Sequence, residues 1–141
     1  MILIDTSGLL AALDAAQRQH AQAAASLVAA TPPLLLSPFV LAELDYLLTT
    51  RVGTAARAAL LEEVERGAYL LEGFSAADVR EARAVIERHA DLRLSLADAS
   101  ITVLATRHGV RDVLTLDERH FRVLTAEGKP FRLLPADSPD A

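Results

Sequence analysis

Four carboxylates in this chain stand beside or within apolar segments, where a negative charge is costly: Asp5, Glu43, Asp98 and Asp117. Burying one unpaired carboxylate costs free energy, and gathering several costs more because like charges repel. A bound cation would offset both costs. Because none of the four residues is Cys or His, the predicted chemistry is an all-oxygen site for Mg²⁺ or Mn²⁺.

Each of these acids also has a purely structural interpretation. Asp5 could cap the helix that follows it, Asp98 could complete a capping box with Ser95, and Asp117 could be an ordinary turn residue. Glu43 is the hardest to explain in this way. Helical spacing predicts that it points between Phe39 and Leu47 on a buried stripe, where it would need an Arg or a cation as its partner.

Strands and helices alternate along the chain. Short apolar runs predict strands at Met1–Asp5, Leu34–Leu36, Ala68–Leu71, Asp112–Thr115 and Phe131–Leu134. Capping residues, breakers and periodicity predict the helices between them, at about 9–15, 20–30, 38–50, 54–66, 76–90 and 96–108. This alternation is typical of an α/β fold with a parallel sheet of four to five strands.

Such a sheet would bring the four acids together. Asp5 and Asp117 fall at or just beyond the carboxyl ends of strands, and Glu43 and Asp98 fall early in helices that start at the same edge. In open parallel sheets, ligands bind in the crevice outside this edge. Thr6 and Ser7 flank Asp5, and Thr115 precedes Asp117, so these hydroxyls could orient the acids.

Composition limits the remaining choices. A length of 141 residues with 52% hydrophobic residues suits a single domain, predicted over residues 1–135 with a flexible tail at 136–141. The absence of Cys excludes thiolate chemistry, and no segment has the length or polarity of a membrane span or export signal, so a cytoplasmic location is expected. The four histidines show no ligand spacing, and only His120 lies near a proposed site residue.

The net charge of −5 argues against a partner held by a broad basic surface. However, the four acids contribute most of it, so the rest of the chain is nearly neutral. Almost all the basic residues are Arg, which suits bidentate phosphate contacts, and Arg119 beside Asp117 is a candidate for one.

Four segments together resemble the successive acidic motifs of PIN-domain ribonucleases, and more narrowly of VapC-type toxins from bacterial toxin–antitoxin pairs. They are Met1–Ser7, Val40–Leu48, Leu94–Ile101 and Thr115–Phe121. Each motif alone is weak, but the ordered set covers nearly the whole chain.

The resemblance implies a three-layer α/β/α sandwich and cleavage of RNA that depends on Mg²⁺ or Mn²⁺. It implies that Asp5, Glu43, Asp98 and Asp117 hold the metal, and that a metal-activated water attacks the phosphodiester. It also implies a homodimer and inhibition by a small cognate antitoxin.

Three other interpretations remain open from the residues. The first is a PIN-like nuclease of RNA maturation or DNA repair, without a toxin role. The second is a non-catalytic interaction module whose acids cap helices and pair with Arg. The third, an α/β phosphatase with Asp5 as nucleophile, is disfavoured because Ser7 stands where such enzymes usually have a second Asp.

Overall fold

The computed structural model describes residues 1–139 and contains a central sheet of five parallel strands. The strands of this sheet are β1 (Ile2–Ile4), β2 (Leu34–Leu36), β3 (Leu70–Leu71), β4 (Asp112–Leu114) and β7 (Arg132–Leu134). Their spatial order is β3-β2-β1-β4-β7. Chain direction is the same throughout, so all the carboxyl ends meet at one edge.

Helices flank this sheet in a three-layer α/β/α sandwich, which confirms the predicted fold class. They are α1 (Thr6–Leu13), α2 (His20–Ala29), α3 (Pro38–Arg51), α4 (Thr54–Glu65), α5 (Ala76–Arg88), α6 (Leu96–His108) and α7 (Glu118–Phe121). No helix among the described residues is long and apolar enough to cross a membrane. The central strand β1 is buried along its whole length, as are Val113 and Leu114 of its neighbour β4.

Local capping chemistry starts three of the helices where the sequence predicts. The Ser37 side chain accepts a hydrogen bond from the backbone N–H of Phe39, with Pro38 in the first helical position. Ser75 and Ser95 each form a complete capping box with an Asp three residues later. These caps satisfy backbone groups that the first helical turn leaves unpaired.

Helix α1 begins three residues before its predicted start. Ser7 and Gly8 are poor helix formers, so local propensity favours the later start. In the structure, Gly8 packs directly on β4, and a Cβ atom at this position would overlap the carbonyl group of Leu114. The close approach of helix and strand therefore stabilises a helical start that local propensity disfavours.

A small antiparallel hairpin was not predicted. Its strands are β5 (Thr125–Ala126) and β6 (Lys129–Pro130). The two residues that connect them, Glu127 and Gly128, both have positive φ, as tight two-residue hairpin turns require. Strands of two residues are too short to show an alternating pattern, so this element gave no detectable signal.

The carboxyl-terminal segment is held to the domain by Asp137. Its carboxylate accepts two hydrogen bonds of 2.8 Å from the guanidinium of Arg122 and one of 2.8 Å from the backbone N–H of Leu133. The predicted flexible tail at 136–141 includes residues 140 and 141, which lie outside the described residues.

Candidate active site

The four acids line one open pocket of about 370 Å³ at the carboxyl edge of the sheet. Asp5 directly follows β1, Asp117 lies three residues beyond the end of β4, and Glu43 and Asp98 belong to α3 and α6. A larger pocket of about 670 Å³ lies at the opposite edge and is lined by residues around the starts of β4 and β7, but its acids Asp112 and Asp137 are already paired with Arg132 and Arg122. The smaller pocket is therefore the one that concentrates carboxylates with no Arg or Lys partner among the described residues.

Asp5 is the most deeply buried of the four, with 4% of its surface exposed. Its Oδ2 accepts two hydrogen bonds of 2.7 Å, from the hydroxyls of Ser7 and Thr115. Burial is the main cause that raises the pKa of Asp5 to about 6; the two hydroxyls oppose this shift, and the nearby charge of Asp98 adds to it. The side chain makes no capping hydrogen bond to α1, so the capping interpretation does not explain its position.

The hydroxyls of Ser7 and Thr115 connect Asp5 to the loop after β4. Ser7 Oγ accepts the backbone N–H of Leu116 at 3.0 Å, and Thr115 Oγ1 accepts that of Asp117 at 2.9 Å. Each hydroxyl therefore donates to Asp5 and accepts from the loop. This network sets the position of Asp117 relative to Asp5 although more than a hundred residues separate them.

Asp98 and Asp117 both accept backbone hydrogen bonds at helix starts. Asp98 completes the capping box with Ser95, as the structural interpretation proposed, and Asp117, interpreted as a turn residue, is the N-cap of α7. Asp98 Oδ2 accepts the backbone N–H of Ser95 at 3.0 Å, and Asp117 Oδ1 accepts that of His120 at 3.0 Å. Capping leaves a second oxygen on each carboxylate. Neither acid forms an ion pair with an Arg or Lys among residues 1–139, so capping does not neutralise their charge.

Glu43 differs from the prediction in its burial. The buried stripe of α3 consists of Val40, Leu44 and Leu48, and Glu43 itself is exposed. A rotation of 100° per residue separates neighbouring helical positions, and the apolar residues Phe39 and Leu47 are themselves only half-buried. Glu43 thus faces the pocket instead of the core, and it forms no ion pair with Arg within the described chain.

Negative neighbours nevertheless act on Glu43. Partial burial, together with the charges of Asp98 and Asp5, raises its pKa above the ordinary value. The Thr6 hydroxyl is close enough to oppose this shift but is buried without a hydrogen bond of normal geometry among the described residues. An unpaired hydroxyl beside clustered carboxylates fits a site that takes up a cation with its oxygen ligands.

Buried serines hold α3 and α6 together near the pocket. Ser37, which caps α3, and Ser100 of α6 lie 2.7 Å apart through their hydroxyl oxygens. Ser100 Oγ also donates to the carbonyl oxygen of Ala97, so the Ser37 hydroxyl donates to Ser100. Both side chains are almost completely buried, and their contact fixes the spacing of the two helices that carry Glu43 and Asp98.

The pocket includes polar residues that the sequence analysis did not single out. Arg51 lies two turns beyond Glu43 on the same face of α3, and it carries the positive charge among the lining residues. Gln17 lines the pocket from the loop after α1. Arg119, the predicted phosphate contact, is exposed on α7 and is not part of the described lining. The spacing of Glu43, Leu47 and Arg51 was a signal that could have identified Arg51.

Fold and pocket together define a class: a parallel α/β domain with clustered carboxylates at the carboxyl edge of its sheet. The model of the PIN domain family matches residues 2–125. Over 135 residues the chain is 43% identical to the ribonuclease VapC26 of Mycobacterium tuberculosis, covering 95% of this chain and 100% of that protein. The chain therefore belongs to the PIN-domain family and, within it, to the VapC-type ribonucleases.

Solved structures show the same fold. The toxin VapC20 of Mycobacterium tuberculosis, which cleaves the sarcin–ricin loop, matches with a TM-score of 0.77 and 25% identity over 83% of this chain and 90% of that one. FitAcB from Neisseria gonorrhoeae matches with a TM-score of 0.56 and 23% identity, over 84% of this chain and 88% of that chain. At that identity the second likeness shows the fold alone.

Proposed function

We propose that this protein is a Mg²⁺- or Mn²⁺-dependent endoribonuclease and the toxin of a toxin–antitoxin pair. The observation that carries the proposal is the convergence of Asp5, Glu43, Asp98 and Asp117 on one pocket in a chain of the VapC type. Residues 1–135 form the nuclease domain on this proposal. Its RNA substrate and its inhibitor are both expected in the cytoplasm.

The pocket suits a hard divalent cation. Asp98 and Asp117 contribute ligand oxygens that lie within 4.8 Å of each other, while Asp5 and Glu43 line the same pocket outside that closely spaced group. A bound Mg²⁺ or Mn²⁺ would polarise a phosphate oxygen and lower the pKa of a coordinated water. The raised pKa values of Asp5 and Glu43 support the proposal, because they show carboxylates that a nearby positive charge would stabilise.

The chain's own residues have separate roles in this proposal. Asp5 is kept in place by Ser7 and Thr115, so that its carboxylate does not rotate away from the cation site. Arg51, which lines the pocket, would contact a phosphate of the bound RNA. Arg119 remains a second candidate for a flanking phosphate.

The expected protein partners are inferred from membership of the VapC-type family. A VapC-type toxin would be a homodimer held inactive by a small antitoxin encoded beside it. The alternative of RNA maturation without a toxin role has no structural observation in its favour. A purely structural module is disfavoured, because none of the four acids is neutralised by an Arg within the described residues.

Cleavage mapping on total RNA tests the activity. The wild-type protein is expected to cut at discrete sites with Mn²⁺ or Mg²⁺ and to stop when EDTA is added. Asp98→Asn keeps an oxygen that can cap Ser95 but removes a charge, so it is expected to fold and not to cleave. Asp112→Asn, at the opposite end of β4, is the matched control and is expected to cleave normally. Cleavage in EDTA, or by Asp98→Asn at the wild-type rate, would contradict the proposal.

The toxin assignment has a separate test. Co-expression with the product of the neighbouring short reading frame is expected to give a stable complex without ribonuclease activity. Size-exclusion chromatography with light scattering measures both the dimer and this complex. A monomer with no inhibitor encoded nearby would favour an RNA-processing nuclease.

A further inference from the structure

The His120 side chain contacts two acids of the pocket, although it is not itself among the lining residues. It lies on the short helix α7, three residues after Asp117. Its Nδ1 atom is buried, lies 2.9 Å from Asp117 Oδ2 and 3.5 Å from Asp98 Oδ2, yet forms no hydrogen bond of normal geometry. These three side chains form the group of potential ligands that the described residues bring within 4.8 Å of one another.

The other ring nitrogen determines which tautomer is present. His120 Nε2 lies 2.9 Å from the carbonyl oxygen of Leu92. A carbonyl oxygen can only accept, so Nε2 carries the hydrogen and donates it. In the neutral ring the lone pair is then on Nδ1, which lies within 3.5 Å of two carboxylate oxygens. That arrangement is repulsive unless a positive charge, either a second ring proton or a bound cation, is present there.

This arrangement has the form of a metal-binding histidine. Histidines that bind metals almost always donate their other ring N–H to a carboxylate, carbonyl or water, which fixes the tautomer and the ring orientation. Adjacent ligands of an octahedral ion with bonds of roughly 2.1 Å are about 3 Å apart. The 2.9 Å between Nδ1 and Asp117 Oδ2 matches that spacing.

We propose that His120 is a nitrogen ligand of the divalent cation, completing a site with Asp98 and Asp117. The consequence is a preference among metals. An imidazole nitrogen suits first-row transition metals better than Mg²⁺, which favours oxygen. The chain would therefore prefer Mn²⁺ over Mg²⁺ more strongly than an all-carboxylate pocket does. This inference rests on the proposed metal dependence and adds a ligand to it.

Pulsed electron paramagnetic resonance on the full chain with Mn²⁺ tests the coordination directly. The wild-type protein is expected to show modulation from a nitrogen nucleus of a coordinated imidazole, and labelling histidine with ¹⁵N should change the pattern. His120→Gln should lose the modulation. His89→Gln, at the end of α5 and outside the pocket, should retain it. Because the labelled wild-type spectrum is decisive alone, a misfolded variant would not obscure the result.

Metal affinity gives a second measurement. Titration calorimetry should show that His120→Gln weakens Mn²⁺ binding by about tenfold or more, with a smaller change for Mg²⁺. Wild-type protein that binds Mn²⁺ and cleaves RNA without nitrogen modulation would overturn this inference and leave the proposed function intact. Wild-type protein that neither binds Mn²⁺ nor cleaves RNA would overturn both.

Discussion

Thr115 Oγ1 donates a hydrogen bond of 2.7 Å to Asp5 Oδ2, although the two residues lie 110 positions apart. The same oxygen accepts the backbone N–H of Asp117 at 2.9 Å. One buried hydroxyl thus positions two of the four acids relative to each other. It also reduces the cost of holding the Asp5 charge in a buried position, because a hydrogen bond to the ionised form favours that form.

Removing this hydroxyl should affect both stability and metal binding. In Thr115→Val the shape is kept, but Asp5 loses a donor and the N–H of Asp117 loses its acceptor. We expect a loss of about 1–3 kcal/mol in the free energy of unfolding and a weakening of Mn²⁺ binding by about tenfold. Chemical denaturation and calorimetry measure these quantities. Thr115→Ser retains the hydroxyl and should stay close to wild type in both quantities. Equal unfolding free energies and equal Mn²⁺ affinities for Thr115→Val and Thr115→Ser would show that these hydrogen bonds have no role.

Asp5→Asn should stabilise the metal-free protein at neutral pH. The pKa of Asp5 rises from 3.8 to about 6 on folding, so between these pH values the folded state binds more protons than the unfolded state. The contribution of this carboxyl group to the free energy of unfolding of the wild-type protein is fully present below about pH 4. It is lost as pH rises through 6, and the total loss is about 3 kcal/mol. The neutral Asn avoids that loss.

The measurement is the difference in unfolding free energy between Asp5→Asn and wild type as a function of pH, in EDTA. The difference should be near zero at pH 3.5 and reach its full value above pH 7. Because the other acids are the same in Asp5→Asn and wild type, their contributions to the free energy of unfolding cancel in this difference. A difference that does not change with pH would show that Asp5 has an ordinary pKa.

On the proposed function, divalent cations bind the folded state and should therefore raise the thermal stability of the wild-type protein. At a free concentration of about 100 times the dissociation constant the gain is about 2.7 kcal/mol. Asp98→Asn should lose most of this gain, whereas Asp112→Asn should keep it. Scanning calorimetry with Mn²⁺ and with EDTA measures it, and equal gains in both variants would place the cation elsewhere.

Arg51 should contribute to RNA binding more than Arg119 does. Arg51 lines the pocket and forms no ion pair with the described residues, whereas Arg119 lies outside the lining. In an Asp98→Asn background, which prevents cleavage, Arg51→Ala should weaken binding to single-stranded RNA. It should also reduce the slope of log affinity against log salt by about 0.7, the value for one lost phosphate contact. Arg57→Ala, whose side chain pairs with Asp45, is the control. A larger effect from Arg119→Ala would reverse the assignment.

Gly8→Ala should destabilise the fold although alanine is the better helix former. An added methyl group would overlap the carbonyl group of Leu114, so α1 would have to move away from β4. We expect a loss of about 1–3 kcal/mol and a weaker network around Asp5, since Ser7 moves with the helix. Chemical denaturation measures the loss. Gly73→Ala, where the added methyl group meets nothing within 4 Å, should change little.

Local signals in the sequence were sufficient to predict most helices and strands, and to predict the edge of the sheet at which the acids meet. Ser37, Ser75 and Ser95 mark helix starts because a cap depends only on residues within one turn. Short apolar runs mark buried strands, and their alternation with helices requires parallel pairing. The four acids could be chosen because a charge beside an apolar run is unusual in any fold.

Tertiary structure alone decided how each side chain is used. The rotation of α3 about its axis turned Glu43 away from the core and placed both Glu43 and Arg51 on the face that lines the pocket, and helical periodicity could not settle that angle. The contact of Leu92 with His120 and that of Thr115 with Asp5 join residues distant in the chain. Such contacts depend on how whole helices and strands pack, and packing is determined by the summed burial of many side chains, which no short segment encodes.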